Sequence, residues 1–342
     1  MPSIASTLAT TLLVVVVYFW VVRLVDMNEK EPLWAMGLLF GLGAAASLAL
    51  PLVVPPQLLD LSAVPSAVFR ELARFGAVGA GIYALTVYGR IRGWQEFNGT
   101  MDGVVYGACA GLGFATAAEL RAEILFGVVS LPGASVGLFA GFGRIALSGL
   151  ADGVLGAAIG AGIGAAVDAR TWIARALLPV AGVAGAVLAH LGYAALAHGD
   201  ALAGSAGLIR AYVAFGLPVA AVVATVVLAL RAERAAIRRQ LPSEVEAGVV
   251  SAEELALLQN VTARTASYTR QLLRGRVGRW RGLKRLHNRQ VQLALIKDKA
   301  ARQLDDASRQ AIEQEVGRLR EHVLASKHAL GQEQATTGGG VP

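Results

Sequence analysis

The chain has 342 residues, of which 55% are hydrophobic and only 16% are charged, and its mean hydropathy is +0.55. This composition excludes an ordinary soluble globular protein. The net charge of +7 is unevenly spread: residues 1–231 carry 12 basic and 12 acidic residues, whereas residues 232–342 carry 19 basic and 12 acidic ones. The sequence therefore predicts a transmembrane domain over 1–231, a basic cytosolic helical domain over 232–330 and a disordered tail over 331–342.

Seven segments are apolar over about 20 residues, the length that a helix needs to cross a bilayer. They cover residues 4–25, 33–54, 67–89, 102–126, 142–167, 173–197 and 209–230. The predicted fold is an all-α polytopic bundle of about seven transmembrane helices with a soluble basic helical tail. Between the fourth and fifth spans, the glycine-containing segment 128–142 is interpreted as a loop or re-entrant piece, with an eighth span as the alternative.

Basic residues between the predicted spans indicate the orientation. The first, third and fifth connections and the tail carry Lys or Arg, whereas the second and fourth connections carry none between their helices. By the positive-inside rule, this alternation places the N-terminus outside and the C-terminal tail in the cytoplasm.

Ionisable residues lie inside or at the edges of four predicted spans, where they are costly and therefore mark candidate functional sites. They include Glu71 and Arg74 on the third span, Glu119 on the fourth, Asp152 on the fifth and His190 on the sixth. A carboxylate and an imidazole can activate water, by acid–base action or by holding a metal. The residue types alone also fit structural ion pairs, such as Glu71 with Arg74 one helical turn away. Both interpretations are open at this point.

The stretch from Phe97 to Glu119 is similar to a signature of the PrsW-type intramembrane proteases, a Glu/His-dependent group related to CAAX prenyl endopeptidases. The residues that match its Asp-Gly-x-x-Tyr-Gly and Gly-Phe-Ala elements are Asp102, Gly103, Tyr106, Gly107, Gly113, Phe114 and Ala115. The acidic first-loop element of the family is matched by Asp26, Glu29 and Glu31, followed by Pro32. The resemblance covers roughly residues 15–230.

Two motifs on the third and fourth spans depart from the family pattern. The Glu-Glu-x-x-Lys motif keeps its second glutamate as Glu71, but Arg70 replaces the first glutamate and Arg74 the lysine. The glutamate that ends the next motif is one residue late, with Ala118 in its place and Glu119 following. One residue turns a helix by about 100°, so Glu119 faces another direction unless the helix is bulged.

Two further motifs, on the fifth and sixth spans, are incomplete. The family histidine on the fifth span is missing, and Asp152 is the candidate substitute. The last motif keeps His190, but Ala194 stands where the family has Asn or Asp. The chain therefore carries a degenerate version of the catalytic pattern.

The resemblance implies proteolysis of membrane-anchored proteins, such as anti-sigma factors in envelope stress signalling, in a bacterial-type plasma (inner) membrane. It implies Glu71, Glu119 and His190 as catalytic residues, with Arg74, Asp102 and Asp152 in supporting positions, and it leaves room for a divalent metal such as zinc. The alternative is a catalytically silent pseudoprotease that binds membrane segments or scaffolds partners.

The tail has the pattern of soluble helices at about 251–259, 262–274, 277–302 and 305–329, with Ser251 as an N-cap. No acidic residue occurs from Leu255 to Ile296. The basic residues proposed to contact an anionic inner leaflet are Arg274, Arg276, Arg279, Arg281, Lys284 and Arg285. A solvated hairpin packed on itself and a homodimer are alternatives, and nucleic acid is the less favoured one.

Overall fold

The computed structural model describes residues 4–25, 31–59, 64–92, 97, 99–126, 138–169, 171–197, 205–302 and 306–338. These residues form α-helices joined by short connections, with no strand among them. The helices are α1 (Ile4–Val25), α2 (Leu33–Val53), α3 (Val64–Arg92), α4 (Thr100–Phe126), α5 (Leu138–Asp168), α6 (Trp172–Ala197), α7 (Ser205–Gln240), α8 (Pro242–Glu246), α9 (Ala252–Gln259), α10 (Val261–Leu273), α11 (Val277–Arg302) and α12 (Asp306–Gly338). A short 3₁₀ turn, Pro56–Leu59, follows α2.

The chain divides into two compact units, with the change from the first to the second between Val227 and Leu228 of α7. Each of the seven predicted spans coincides with one of the helices α1–α7, so the prediction of an all-α fold is confirmed. The predicted domain boundary at 231 falls inside α7, which continues to Gln240. The predicted re-entrant segment lies mostly outside the described residues.

Five segments of the described chain are long and apolar enough to cross a membrane. They are Leu33–Val53, Thr100–Ala122, Gly149–Asp168, Trp172–Gly192 and Gly216–Glu246. Helix α1 contains a shorter apolar stretch, Leu12–Arg23, and α3, which carries Arg70, Glu71 and Arg74, is not among the five. The number of seven crossings therefore stays a prediction.

Helix α4 lies between α2 and α5, and glycines allow both neighbours to approach its backbone closely. On the α5 side, a Cβ atom added to Gly107 would stand 2.1 Å from the carbonyl oxygen of Gly156. On the α2 side, a Cβ added to Gly113 would stand 1.9 Å from the carbonyl oxygen of Phe40. Such contacts leave no room for any side chain, which is the usual role of small residues between membrane helices. The glycine seam of α5 therefore packs against α4.

The second unit has its own hydrophobic core, made by the end of α7 and by residues of α8, α9, α11 and α12 and the turn between α8 and α9. Helices α11 and α12 pack antiparallel, since Arg289 Nη1 donates to the carbonyl oxygen of His322 at 2.9 Å while Gly282 adjoins Leu330. The buried carboxylate of Glu244 accepts two hydrogen bonds from the guanidinium of Arg320, at 2.7 and 2.9 Å. This charge pairing links α8 to α12 inside the unit.

The helices predicted for the tail agree closely with α9–α12. Ser251 caps α9 in a capping box with Glu254, as the sequence predicted for an N-cap followed by acidic residues. Helix α12 continues to Gly338, into the stretch that was predicted to be disordered, and residues 339–342 lie outside the described part. The antiparallel α11–α12 pair agrees with the prediction of a packed hairpin.

The close α4–α5 contact yields a first prediction. Gly107→Ala places a Cβ against the backbone of Gly156, so the helices must separate, and we expect a destabilisation of about 2–3 kcal/mol. Gly185→Ala on α6 is the matched control, because nothing lies within 4 Å of its added Cβ. Thermal denaturation of the purified protein in detergent measures the difference. Equal midpoints for the two variants would contradict the packing described here.

A second prediction concerns the acid stability of the second unit. Burial lowers the pKa of His287 to about 4 from 6.5, with Arg264 adding to the shift and Glu254 opposing it, while the Tyr268 hydroxyl lies 2.8 Å from its Nδ1. Between pH 6.5 and 4, His287 is therefore protonated in the unfolded state but not in the folded state. The unit should lose on the order of 3 kcal/mol of stability as the pH falls through this window.

Pulse proteolysis of the full chain, followed through a C-terminal tag at several pH values, measures this loss. His287→Gln keeps a polar partner for Tyr268 without a titrating group, so its stability should change much less below pH 6.5. An unchanged pH dependence in that variant would assign the acid sensitivity to other groups.

Candidate active site

The structure brings together four of the predicted site residues from three helices. Glu71 and Arg74 lie on α3, His190 on α6 and Asp152 on α5. The Nδ1 atom of His190 lies 2.7 Å from Oε1 of Glu71, and Nη1 of Arg74 donates to the same oxygen. The other terminal nitrogen of Arg74, Nη2, donates to Oδ1 of Asp152. The site is therefore a continuous chain of hydrogen bonds from His190 to Asp152.

Burial explains why these groups must meet. Glu71 and Arg74 are 0% and 1% exposed, and His190 is 9% exposed. A buried charge is tolerated only when it is paired and hydrogen-bonded. The spacing of three residues places Glu71 and Arg74 on one face of α3. Because the Glu71 carboxylate accepts, the facing Nδ1 of His190 is assigned as its donor.

Arg70 belongs to the same charged cluster. It lies one turn before Arg74 on α3, and it interacts electrostatically with Asp152 and Glu71 as well as with the like charge of Arg74. Arg121 adds a further like charge, so three arginines and the two carboxylates of Glu71 and Asp152 interact in this cluster. Arg70, which replaces the family glutamate, therefore has Asp152 and Glu71 as its opposing charges within this chain.

Phe114 of α4 supports both arginines from one side, a role that the sequence analysis did not assign to it. Its ring centroid lies 4.4 Å from the guanidinium carbon of Arg74 and 5.9 Å from that of Arg70. An arginine over an aromatic face is stabilised by the ring quadrupole, more so when both are removed from water. The signal available in the sequence was the position of Phe114 in the family motif.

Three atoms of the cluster have no hydrogen-bond partner among the described residues: Oε2 of Glu71 and the Nε atoms of Arg70 and Arg74. A buried carboxylate oxygen without a partner is costly, and such an atom often marks the place of a water or a ligand. The other oxygen, Oε1, is held by Arg74 and His190. Glu71 therefore has one oxygen that fixes its orientation and one that can receive a proton.

The first-loop acidic motif is tied to α4 by a different contact. The Tyr106 hydroxyl, on the buried face of α4, donates to Oε2 of Glu31, immediately before α2. Both residues are buried, at 0% and 5% exposed. The tyrosine and glutamate of two separate family motifs thus form one structural pair. Asp26 and Glu29 lie outside the described residues.

Asp102 and Glu119 lie on α4 on either side of the point where it meets Asp152. A Cβ added to Gly111 would stand 2.0 Å from the carbonyl oxygen of Asp152, so α4 meets Asp152 at the position of Gly111. At 1.5 Å per residue, Asp102 lies about 13 Å along the axis in one direction and Glu119 about 12 Å in the other. Neither is a hydrogen-bond partner of Glu71. Asp102 is buried in the first turn of α4, and Glu119 is half-buried.

The donor set fits a catalytic metal poorly. Catalytic zinc is usually held by three protein ligands, and no group of three or more His, Cys, Asp or Glu residues is placed to share a metal within the described part of the chain. Glu71 and His190 adjoin, but the guanidinium of Arg74 is bonded to both Glu71 and Asp152. This fixed cation supplies the positive charge that a divalent metal would bring, and it opposes the approach of a second cation.

A third prediction follows from this arrangement. The full-length protein, purified without a metal-affinity step, should hold far less than one equivalent of zinc by elemental analysis. Arg74→Gln removes the cation between Glu71 and Asp152, so the affinity for added zinc should rise at least tenfold by calorimetry. Arg90→Gln, which changes an exposed arginine on the same helix, is the control. One equivalent of zinc in the wild type, lost in Glu71→Gln and His190→Ala, would contradict the prediction.

The comparisons with known proteins agree with the motifs. A family model described as PrsW family intramembrane metalloprotease matches residues 31–234, which is more than half of the chain. No curated protein and no solved structure matches the chain. The matched region begins at Glu31 and contains the cluster of Glu71, Arg74, Asp152 and His190. The chain belongs to the PrsW family of intramembrane metalloproteases.

Proposed function

We propose that this protein is an intramembrane protease that cleaves membrane-anchored proteins, with Glu71 as the base that activates water. The observation that carries the proposal is the contact between the buried Glu71 and His190, which leaves Oε2 of the carboxylate without a partner. Membership of the family and the apolar helices support a membrane location. A bacterial inner membrane, with the C-terminal tail in the cytoplasm, is part of the proposal.

The chemistry requires a water, a base and a group that stabilises the oxyanion. Water attacks the carbonyl carbon of the peptide bond while Oε2 of Glu71 accepts its proton. The developing negative charge is stabilised by the nearby positive charge of Arg70, whose Nε has no hydrogen-bond partner among the described residues. When the C–N bond breaks, the amine leaving group takes the proton from Glu71. His190 and Arg74 hold the carboxylate throughout.

The family description includes a metal, whereas this chain offers a donor set that an arginine already occupies. The mechanism proposed here therefore assigns the water-activating role to Glu71 itself, and no step depends on zinc. Glu119 was predicted as a catalytic residue from the sequence, but it is assigned no step. The hydrogen-bond partners of the proposed base, Glu71, are Arg74 and His190, and Glu119 is not one of them.

A catalytically silent pseudoprotease is the second candidate, and one observation favours it. Arg74 and Asp152 complete a network of ion pairs and hydrogen bonds that can serve purely to hold α3, α5 and α6 together. In that case the protein would bind membrane segments without cleaving them. Anti-sigma factors with a single span are the substrates or partners proposed for either function.

A fourth prediction distinguishes the two. A panel of tagged single-span membrane proteins is co-expressed with the wild type, with Glu71→Gln and with His190→Ala. Loss of a general base typically costs 10²–10⁴-fold in rate, so cleavage should fall at least 100-fold in Glu71→Gln. Glu246→Gln and His328→Ala change exposed residues of the second unit in the same way and should leave cleavage intact.

The variants are compared at equal amounts of folded protein, measured by size-exclusion chromatography. Glu119→Gln is included because its effect tests the sequence-based assignment directly. Absence of cleavage by the wild type, with substrates still co-purifying, would refute the protease and support the pseudoprotease. Cleavage retained in Glu71→Gln would refute the assignment of the base.

A further inference from the structure

The turn between α10 and α11 presents an apolar tip surrounded by arginines. Helix α10 ends at Leu273 and α11 begins at Val277, and every residue from Leu272 to Gly278 is exposed. Leu273 is 84% exposed, and Leu272 and Val277 are 44% and 42% exposed. Large aliphatic side chains at the tip of a helical hairpin cannot join the core of their own unit. These side chains can therefore contact an apolar medium outside the unit.

The backbone of this turn is closed by hydrogen bonds. The N–H of Arg276 donates to the carbonyl of Gln271 at 3.0 Å, and the N–H of Gly275 donates to that of Leu272 at 2.9 Å. Gly275 has a φ of +68°, the left-handed conformation that this helix ending requires. The pattern is a Schellman motif, which holds the tip in one shape. The exposed leucines are thus presented by a preorganised turn.

The charges around the tip are of one sign. Arg270, Arg274, Arg276 and Arg281 are exposed, and none forms an ion pair with a described residue. Arg279 and Trp280 are half-buried at the start of α11, where Nζ of Lys284 lies 5.9 Å from the Trp280 ring. Clustered like charges repel one another, so a polyanionic surface would relieve them.

We infer that the α10–α11 turn is a membrane-docking tip that inserts Leu272, Leu273 and Val277 into a bilayer whose anionic headgroups its arginines bind. Apolar side chains ringed by basic ones are the features that peripheral membrane-binding segments share. Nucleic acid matches the charge but offers no apolar phase to three aliphatic side chains. The covalent connection also favours lipid. The turn follows the end of α7, whose first part is an apolar membrane-span candidate, by only about 30 residues, which keeps the turn at a high effective concentration near a bilayer. This inference does not depend on the proposed protease function.

Spin-label accessibility of the full chain in nanodiscs tests the inference. Cys109 is free and buried, so Cys109→Ala gives a background for single labels. Leu272→Cys carries the test label and Leu324→Cys on α12, 40% exposed against 44%, carries the matched control. The nanodiscs contain either phosphatidylcholine alone or phosphatidylcholine with phosphatidylglycerol. The readout is the collision rate with oxygen relative to that with a water-soluble nickel chelate.

We expect this ratio to rise at least threefold at position 272 on adding phosphatidylglycerol, and to stay unchanged at position 324. The rise should disappear in Arg274→Gln/Arg276→Gln, which leaves the apolar side chains in place. Equal ratios in the two lipid compositions, or equal rises at both positions, would overturn the inference. Immobilisation of the 272 label by an RNA oligonucleotide, without any response to anionic lipid, would overturn it in favour of nucleic acid.

Discussion

The buried guanidinium of Arg74 is the constraint on which the candidate site depends. It lies 1% exposed in the bundle and reaches carboxylates on two helices, Glu71 on its own helix and Asp152 on α5. Removing one partner from such a buried pair typically costs about 3–5 kcal/mol, because the remaining charge is left without compensation. Glu71 in turn holds His190 of α6 at 2.7 Å. The positions of three helices are thus coupled through a single side chain.

Helix α4 makes this coupling possible by geometry. Its glycines allow the backbones of α2 and α5 to approach on two sides, so that α5 brings Asp152 to the level of Gly111. The same helix places the Phe114 ring 4.4 Å from the Arg74 guanidinium, and it anchors Glu31 through the Tyr106 hydroxyl. Bulkier residues on α4 would increase the helix separation beyond the reach of these side chains. The family motif on α4 therefore builds the site without itself supplying its carboxylate and imidazole.

The altered motif positions belong together in physical terms. Arg70 replaces a glutamate and so adds positive charge, whereas Asp152, in the region of the lost histidine, adds negative charge. The two residues interact electrostatically. The result is a cluster in which Arg70, Arg74 and Arg121 interact with the carboxylates of Glu71 and Asp152, and His190 is bonded to Glu71. A carboxylate held in this way on one oxygen and unpartnered on the other is suited to receive a proton from water. This is the physical link between the degenerate motifs and the proposed chemistry.

The sequence by itself determined the helices, the family and the capping of the tail helices, because each depends on local patterns. Apolar runs predicted α1–α7, and Ser251 with Glu254 predicted the start of α9. Only the tertiary structure decided the hydrogen bond between Arg74 and Asp152, which are 78 residues apart, and that between Glu71 and His190, which are 119 residues apart. It also placed Glu119 about 12 Å along α4 from the level of Asp152. Such contacts depend on the register and separation of packed helices, which are set by side chains on several elements at once and leave no periodic signal in any one of them.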